Sequence, residues 1–600
     1  MTLQVYQFPL TLPTHTAPVV TSLAPVFDRG KVPLYPYTRC TAPKAPPVPR
    51  TYTMWALEND CLRALVAPEI GGHLWSLRDK RIPTPTGKHL PPAVRRAQAQ
   101  GPGAELLFSN SSVKPYVVEP RNTYVSSGIE FNFPVAHSHT SSDPVASRAY
   151  VENGRAVVEV GETERRLGLQ WVVRLSLGEH DTFLTQETFL CNPTGRAAKW
   201  HLWSNAAVDG FRDTEFVYPK AKIIVHGTKD EFARWPQDWK CIGDREGMLG
   251  LFWLDHSDIF FGAFHPAYGH GLMHLADPKI VQGVKMWTWG NKGTRRWAEL
   301  LTDDGRGMAE VQSGAFKTQE DYATFQPGES ARFIEFWTSA RGVKDYARAD
   351  LPKPKIDLPP PRWFGNEHIP EVQRWLKVQA AMRNNAPSEL PPYNPADRDW
   401  PPTGLELEAA LRWAAKHRPA YRTALGTWLA ARQEFAAANT ALRKSSDPYG
   451  RRLEGLMAWQ AEKNAAKAIE LYRRNRFDDH AYLLEYDALL AHLGRHRERS
   501  AILRKLGAFK KGWVPEELAE RHAHQLVGLR KYQAALDVLM NRDKWSRWHE
   551  RFVRTDIWRR ARAALGQPQD PVPTHLGEDV VPAIDQAPTP KGPLDGMLRE

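Results

Sequence analysis

The chain has 600 residues, of which 42% are hydrophobic and 25% are charged. This balance is typical of a globular protein and excludes a disordered or fibrous chain, and the length exceeds one ordinary core, so two or more domains are expected. The net charge of +12 does not predict nucleic-acid binding, because no nucleic-acid motif accompanies it. Much of the basic excess lies in the C-terminal half, and it indicates either a solvated helix surface or a docking face for an acidic partner.

No run of about 18 apolar residues predicts a membrane-spanning helix, and no secretory signal is recognisable near the N-terminus. A cytoplasmic protein without a membrane partner is therefore expected. The four cysteines are too far apart for a zinc site. Histidines recur at His265, His270 and His274 and at His137 and His139, but no carboxylate or cysteine stands at ligand spacing. Neither a metal nor another cofactor is expected.

The first half of the chain predicts strands. Residues 1–50 are expected to form an extended N-terminal segment with strands. Residues 51–345 consist of short alternating runs between turn residues, such as RAVVEVG at 155–161 and LQWVVRLSL at 169–177. Many strands with few helical stretches predict a sandwich or barrel, and about 300 residues favour a large antiparallel two-sheet sandwich.

The second half changes in composition. Residues 346–403 are rich in proline and predict a connector with one helix near 371–384. Residues 404–567 carry alanine, leucine, arginine and glutamate at helical spacing and predict helices. Residues 568–600 predict a disordered tail.

A repeat of 33 to 34 residues runs through the predicted helices. Gly494 and Gly528 each stand between two of them, and Ala468, Ala501 and Ala535 follow at matched offsets. Small residues at these positions allow neighbouring helices to cross closely. The spacing predicts tetratricopeptide-like repeats, with ordinary antiparallel helices as the alternative.

The segment SSGIEFNFPVAHSHTSSD at 126–143 is the densest group of polar candidates. Glu130 and Asn132 alternate with apolar residues, so they share one face of a predicted strand. His137 and His139 follow directly. The segment is interpreted either as the polar floor of a pocket or as a solvent-facing strand edge.

Three further segments place polar and aromatic residues on one strand face: Trp200–Asp209, Val284–Asn291 and Ala309–Gly314. Each indicates either part of a pocket or internal packing of the sandwich. Sugars present C–H faces to aromatic rings and hydroxyls to charged and amide groups, so such faces suit a saccharide. The candidate residues in these segments are His201, Trp203, Asn205, Lys285, Trp287, Trp289, Glu310 and Gln312.

The segment Leu57–Lys80, with its Pro-Glu-x-Gly-Gly turn, resembles the opening of galactose-mutarotase-like domains. Together with GIEFNFP at 128–134, WSNAA at 203–207 and EVQSG at 310–314, it is similar to a bacterial family of largely unassigned function. That family joins a mutarotase-like β-supersandwich to C-terminal tetratricopeptide repeats. The resemblance covers residues 30–565 and implies a large antiparallel β-supersandwich followed by an α-helical solenoid.

Mutarotases use a glutamate and a histidine. The resemblance places the glutamate at Glu310 and the histidine at His137 or His139, with His201 near where another histidine would fall. Mutarotases carry a His-Pro-Tyr-Phe element where this chain has His201-Leu202-Trp203-Ser204. The resemblance thus implies Glu310 as a base and a histidine as an acid, in a pocket of a different shape.

These observations predict a carbohydrate-active enzyme that performs acid/base chemistry at the anomeric centre of a sugar or oligosaccharide. Glycoside processing, with Glu130 and Glu310 as the two carboxyl groups, is slightly favoured over epimerisation, because a free-standing mutarotase does not need an attached helical array. The alternative is a non-catalytic sugar sensor whose helical repeats recruit a protein partner.

Overall fold

The first part of the chain forms β-strands where β-branched and aromatic residues alternate between turns. The computed structural model describes residues 3–576, apart from 20–22, 28–32, 44, 117, 119, 136, 227–231, 398, 444, 446, 543–544 and 546–551. The predicted tail at 568–600 therefore lies largely outside the described residues. The described strands are β1 (Gln4–Thr14), β2 (Val48–Glu58), β3 (Leu62–Ala67), β4 (His73–Asp79), β5 (Ala104–Glu105), β6 (Ile129–Asn132), β7 (Ala146–Glu152), β8 (Arg155–Thr163), β9 (Gln170–Gly178), β10 (Phe183–Cys191), β11 (Ala198–Trp200), β12 (Trp203–Asp209), β13 (Glu215–Val217), β14 (Ala221–Val225), β15 (Phe232–Trp235), β16 (Leu249–Trp253), β17 (Phe260–His265), β18 (His270–Ala276), β19 (Gly283–Thr288), β20 (Met308–Gly314), β21 (Ala323–Phe325) and β22 (Ser330–Ala340).

These strands build two large antiparallel sheets. The twelve-stranded sheet has the order β1-β2-β3-β4-β6-β12-β20-β19-β16-β14-β15, with β5 paired to β4. The eight-stranded sheet has the order β13-β17-β18-β22-β10-β9-β8-β7, and β11 pairs with β21. Sequence-distant strands such as β6, β12 and β20 thus become neighbours in the middle of the larger sheet.

One hydrophobic core joins the two sheets. The larger sheet contributes side chains such as Ile129, Ala206 and Val311, and the smaller sheet contributes Val158 and Val173, all within one buried cluster. Full burial of a valine or isoleucine side chain contributes about 1.5–3 kcal/mol to stability. Because side chains alternate along a strand, the neighbours of the core residues in the larger sheet face the opposite side.

The second half of the chain is helical. The helices of the whole chain are α1 (Pro92–Gln98), α2 (Gly290–Leu301), α3 (Val343–Arg348), α4 (Pro370–Arg383), α5 (Glu408–His417), α6 (Tyr421–Ala431), α7 (Phe435–Leu442), α8 (Pro448–Gln460), α9 (Ala465–Arg474), α10 (His480–His492), α11 (His496–Leu506), α12 (Glu516–Gly528), α13 (Tyr532–Met540) and α14 (Arg554–Ala564). From α5 onward, consecutive helices such as α8 and α9, α10 and α11, and α12 and α13 pack in pairs. None of the helices in the described part of the chain is long and apolar enough to cross a membrane.

The chain divides into two compact units. One consists of Met1–Val19 and Arg39–Pro370, and the other of Val20–Thr38 and Glu371–Glu600. The first unit holds both large sheets, and the second holds the paired helices. The predicted fold class, a large antiparallel β-sandwich followed by a helical solenoid, is confirmed.

The repeat residues act in different ways. A Cβ on Gly528 would lie 2.3 Å from the ring of His496, so α12 and the start of α11 approach closely at this glycine. Gly494 instead has a positive φ of 67° just after α10, a conformation that glycine adopts without cost. Ala468 and Ala535 are fully buried. Ala501 is exposed, which corrects the prediction of an inward alanine at that position, because Arg499, Leu503 and Leu506 are the buried residues of α11.

A buried ionic cluster explains why α11 turns Arg499 inward and leaves Ala501 exposed. Asp487 accepts hydrogen bonds from Arg499 at 2.7 and 2.9 Å and from Arg521 at 2.8 Å. All three residues are at most 3% exposed. Burial by itself would raise the pKa of Asp487, but the two arginines hold it below its ordinary value. The cluster therefore joins α10, α11 and α12 through charge.

Candidate functional site

The outer face of the larger sheet carries a polar row across four neighbouring strands. Asn205 on β12 lies directly opposite Glu130 on β6 and Gln312 on β20. Gln312 in turn lies opposite Lys285 on β19. Directly opposed residues of antiparallel strands point to the same side. The fold thus brings together four of the predicted site residues on one face.

Two further rows flank the first, each two residues away along the same strands. In one, Glu310 is opposite both Ala207 and Trp287, and in the other, on the far side of the first row, Trp203 is opposite Asn132. A period of two keeps these residues on the same face as the first row. The polar and aromatic residues predicted from the alternation of β6, β12, β19 and β20 therefore form one continuous surface.

Glu130 and His137 form an ion pair on this surface, with 3.3 Å between Oε2 and Nδ1. Burial would lower the pKa of His137, but Glu130 raises it above its ordinary value. Burial would raise the pKa of Glu130, but His137 lowers it below its ordinary value. Both shifts favour the imidazolium–carboxylate form of the pair.

The loop after β6 presents His137 in an uncommon conformation. His137 has a φ of 53°, in the left-handed region that non-glycine residues seldom adopt. Asn132 holds the loop in place, since its Oδ1 accepts a hydrogen bond from the backbone N–H of Ser138 at 2.8 Å. Its Nδ2 donates to Glu130 at 3.1 Å. Asn132 thus positions both members of the ion pair, and strained residues held in this way cluster at functional sites.

Glu310 is hydrogen-bonded to neutral side chains that lead on to Lys285. Tyr124 donates to its Oε1 at 2.9 Å and Gln312 donates to its Oε2 at 2.8 Å. Gln319 donates to Gln312 at 3.1 Å and accepts from the Lys285 ammonium at 2.6 Å. These hydrogen bonds connect the carboxylate to the lysine through two amides, without a direct contact between the two charges.

Tyr124 lies between Glu310, to which its hydroxyl donates a hydrogen bond, and His137, which pairs with Glu130. Its ring meets the imidazole of His137 edge to face, with 5.2 Å between the centroids. Burial, reinforced by Glu310 and Glu130, raises the pKa of Tyr124 well above its ordinary value. The hydroxyl therefore keeps its proton and donates to Glu310 throughout the neutral range.

Lys285 is almost fully buried, at 4% exposure. Its ammonium lies 5.3 Å from the centre of the Phe252 ring and 5.2 Å from that of Trp287. Burial lowers the pKa of Lys285 to about 8, although Glu310 opposes the change. A buried lysine next to aromatic rings is a reactive amine at neutral to mildly alkaline pH.

Trp203 and Trp287 lie flat across glycines of neighbouring strands. A Cβ on Gly314 would be 2.5 Å from the indole of Trp203, and one on Gly283 would be 2.8 Å from it. A Cβ on Gly250 would be 2.4 Å from the indole of Trp287. The absence of side chains at these positions leaves room for both rings on the sheet surface.

His201 packs beside Trp203 and does not reach the carboxylates through any described contact. Its ring lies near Trp203, Phe316 and Tyr322, and Nδ1 is 3.0 Å from the backbone oxygen of Asp321. Burial lowers the pKa of His201 to about 4, so it stays neutral. This histidine supports the floor of the surface and is unsuited to act as an acid near pH 7.

Trp289 and His139 lie elsewhere than their predicted roles in the site require. The strand of Lys285 and Trp287 ends at Thr288, and Trp289 stands before α2, where it stacks on Trp297 with 4.0 Å between centroids. It is only 7% exposed, so it packs within an aromatic cluster. His139 is buried, and its backbone oxygen accepts a hydrogen bond from Arg121. His137 is the histidine that the structure brings to Glu130.

Several polar atoms on the surface have no hydrogen-bond partner among the described residues. They are Glu130 Oε1, His137 Nδ1, Asn205 Oδ1 and the indole nitrogens of Trp203 and Trp287. Buried polar groups are normally satisfied, and each exception requires a reason. Exposure is greatest at the His137 side chain, which is 32% exposed, and at Trp287. Donors and acceptors beside such an opening are suited to a polar ligand.

Tyr124 and Gln319 were not predicted from the sequence. Tyr124 precedes β6 in an irregular segment, and Gln319 follows β20 in another. Neither lies in an alternating strand, so periodicity gives no signal for them. The only indication in the sequence is that both are polar residues close to the ends of β6 and β20.

Of the histidines considered as metal ligands, His265 and His270 are register partners on β17 and β18, and His274 lies further along β18. His265 contacts Thr214, His270 contacts the backbone of Glu105, and His274 pairs with Glu335 at 3.1 Å. Within the residues that the structure describes, no three histidine, cysteine, aspartate or glutamate side chains are grouped to hold a metal. Each histidine instead takes part in packing and hydrogen bonding.

Gly314→Ala is expected to destabilise the protein by about 1–3 kcal/mol, because the added methyl group overlaps the buried indole of Trp203. Denaturant unfolding of the full chain measures the change. Gly195→Ala is the control, since a Cβ there meets nothing within 4 Å. Equal stabilities for the two variants would contradict the packing of Trp203 on Gly314.

Comparison with known proteins gives the family of the chain. The model of a family described as a domain of unknown function (DUF5107) matches residues 30–339, and a second model, for a C-terminal domain, matches residues 375–561. A TPR-domain containing protein from Parabacteroides distasonis ATCC 8503 is 28% identical and has a TM-score of 0.84, with 96% of this chain and 98% of that chain covered.

Galactose mutarotase-like proteins also match, with lower scores. The one from Lactobacillus casei ATCC 334 is 10% identical, with a TM-score of 0.32 over 48% of this chain and 100% of that chain. The one from Clostridium acetobutylicum is 12% identical, with a TM-score of 0.30 over 48% of this chain and 95% of that chain. The predicted resemblance to a family that joins a sandwich to helical repeats is confirmed by the family match and by the Parabacteroides structure. With more than half of its length matched, the chain belongs to the DUF5107 family.

Proposed function

We propose that the protein catalyses proton transfer at the anomeric centre of a reducing sugar, with Glu310 as the base and His137 as the acid. The observation that carries this proposal is the arrangement of His137 and Glu310 around Tyr124 on one face. Amide and indole groups without partners surround them. Such a combination suits a ligand that has many hydroxyls and an apolar ring face.

Opening a pyranose ring needs a base that removes the proton of the anomeric hydroxyl and an acid that protonates the ring oxygen. Glu310 would accept the first proton, and Tyr124 and Gln312 orient its carboxylate. His137 would donate the second, because Glu130 raises the pKa of the imidazole and so favours its protonated form. Closure of the ring from either side of the carbonyl would then exchange the two anomers.

Glycoside hydrolysis fits this arrangement less well, which reverses the preference drawn from the sequence. A hydrolase needs one carboxyl group that is protonated near neutral pH to act on the leaving oxygen. His137 lowers the pKa of Glu130 instead of raising it. Glu130 is therefore suited to hold the histidine and is a poor general acid.

The proposed role of Glu130 predicts a change in pH dependence. Turnover in the wild-type protein is expected to fall as the pH rises through the raised pKa of His137, because the acid then loses its proton. In Glu130→Gln the imidazole loses the charge that raises its pKa, so this alkaline limit moves to lower pH. Glu310 raises and Lys285 lowers the pKa of His137 in both proteins. Rates of anomer exchange measured across pH give the two profiles.

Glu152→Gln is the control for this experiment, because Glu152 is exposed on β7 of the other sheet. Its pH profile should match that of the wild-type protein. An alkaline limit that stays in place in Glu130→Gln would show that His137 is not the acid controlled by Glu130.

Binding of sugar to this face is tested by a thermal-shift screen of the full chain against a panel of monosaccharides and reducing disaccharides. The stabilising sugar should raise the unfolding temperature of the wild-type protein and not that of Trp287→Ala, which lacks the exposed ring beside Glu310. Equal stabilisation of both proteins would place the sugar elsewhere. Analysis of the sugar after incubation then separates conversion from binding alone.

A second candidate function is sugar binding without catalysis, coupled to a protein partner of the helical unit. It is supported by exposed aromatic groups between α11 and α12: Trp513 is 79% exposed and Phe509 is 38% exposed. Lys510 and Lys511 stand between them, which would suit an acidic partner. This function would be favoured by a sugar that stabilises the protein while its anomers interconvert only at the rate measured in buffer.

A further inference from the structure

Lys285 has no role in the ring-opening step, yet it lies on the same face of the sheet as Glu310. It stands on β19 opposite Gln312, and Glu310 occupies the neighbouring position along the same strand β20. Diagonal neighbours of this kind lie about 7–8 Å apart. The long side chain of a lysine at such a neighbouring position can reach the carbon whose hydroxyl the base deprotonates.

The surroundings of Lys285 leave its nitrogen available as a nucleophile. Its described hydrogen bond is to the neutral amide of Gln319, and no carboxylate in the described part of the chain forms an ion pair with it. The rings of Phe252 and Trp287 flank the ammonium. Burial disfavours the charged amine and lowers the pKa of Lys285 to about 8.

We propose that Lys285 captures the open-chain aldehyde of a reducing aldose as a Schiff base, an inference that rests on the proposed ring opening. The lysine nitrogen adds to C1 of the aldehyde and forms a carbinolamine. The proton that Glu310 took up in ring opening then converts the C1 hydroxyl to water, which leaves as the C–N double bond forms. The products are a protonated imine and one water molecule, and no oxidant or reductant is consumed.

The imine extends the chemistry of the site beyond exchange of anomers. A protonated imine withdraws electrons from C1, so the C2 proton becomes more acidic than in the aldehyde. Glu310 is the base on the same face. The substrate class assigned to the site is thus an aldose with a free anomeric carbon, held through its open-chain form.

Trapping with sodium cyanoborohydride tests this inference, followed by peptide mapping of the full-length protein by mass spectrometry. Glycolaldehyde is the first probe, because it carries a free aldehyde and needs no ring opening. At pH 8 Lys285 should be labelled at least about tenfold faster than exposed Lys279, because burial lowers the pKa of Lys285 to about 8 and leaves much of its amine uncharged at that pH. Equal labelling of the two lysines would overturn the proposal, and this comparison within one chain does not depend on how a variant folds.

D-galactose and D-glucose are the second probes, because they reach the lysine only after ring opening. The expected adduct has the mass of the sugar plus two hydrogens minus one water, at Lys285, and is lost in Lys285→Arg but retained in Lys279→Arg. Methyl α-D-galactopyranoside, which cannot open, should give no adduct. Accelerated anomer exchange without an adduct at Lys285 would overturn the Schiff base and leave the proposed function standing. Absence of both would overturn the two proposals together.

Discussion

Glu310→Gln is expected to slow anomer exchange by about 100- to 10,000-fold, the usual contribution of a positioned general base. Glutamine keeps the shape of the side chain but cannot accept the proton of the anomeric hydroxyl. Tyr124 and Gln312 both donate to the carboxylate, so the amide also disturbs one of these two bonds. Proton NMR of a freshly dissolved single anomer measures the exchange rate for the variant and the wild-type protein.

Two comparisons make this result specific. Glu179→Gln changes an exposed residue in the turn after β9, and it should leave the rate unchanged. The sugar that stabilises the wild-type protein should still stabilise Glu310→Gln in the thermal-shift assay, because the other polar groups of the face remain. If Glu310→Gln exchanged the anomers at the wild-type rate, Glu310 would not be the base.

Asp487→Ala is expected to destabilise the helical unit by about 3–5 kcal/mol, because it leaves the buried Arg499 and Arg521 without their shared carboxylate. The pKa of Asp487 is lowered in the folded state. Its contribution to stability is therefore present at neutral pH and is lost as the pH falls through the folded-state pKa. Urea unfolding followed by far-UV circular dichroism, which reports on helices, measures both effects.

Asp478→Ala is the matched control in the same part of the chain. Asp478 pairs with Lys505, but the two side chains are 80% and 60% exposed, so the loss should be under about 1 kcal/mol. If the two variants lost the same stability, the buried cluster would not be what joins α10, α11 and α12.

The sequence predicted the fold well where hydrophobic periodicity is local. Alternation in segments such as Arg155–Thr163 indicated strands, and the spacing of Gly494 and Gly528 indicated paired helices. The order of strands within the two sheets could not be predicted, because pairing between β6, β12 and β20 depends on contacts between distant segments. Ala501 shows the other limit, since the buried charge of Arg499 overrides the apolar pattern that the repeat spacing suggests.

The candidate site could be predicted only as far as strand alternation reaches. Glu130 with Asn132, Lys285 with Trp287, and Glu310 with Gln312 share a face as the period of two requires. That period stops at Thr288, where the strand ends. Trp289 therefore stacks on Trp297, although its ring also meets that of Trp287 edge to face, with 5.5 Å between the centroids. Tyr124 and Gln319 come from irregular segments, whose position in space depends on the completed fold.

The rate at which the full-length wild-type protein interconverts the anomers of a reducing sugar tests the central claim most directly. Freshly dissolved α-D-galactose, α-D-glucose and α-lactose are followed by proton NMR at neutral pH, with and without protein. The account predicts that at least one sugar reaches anomeric equilibrium faster with the wild-type protein than in buffer, and that Glu310→Gln removes this acceleration. Relaxation of all three sugars at the buffer rate in the presence of folded wild-type protein would contradict proton transfer at the anomeric centre.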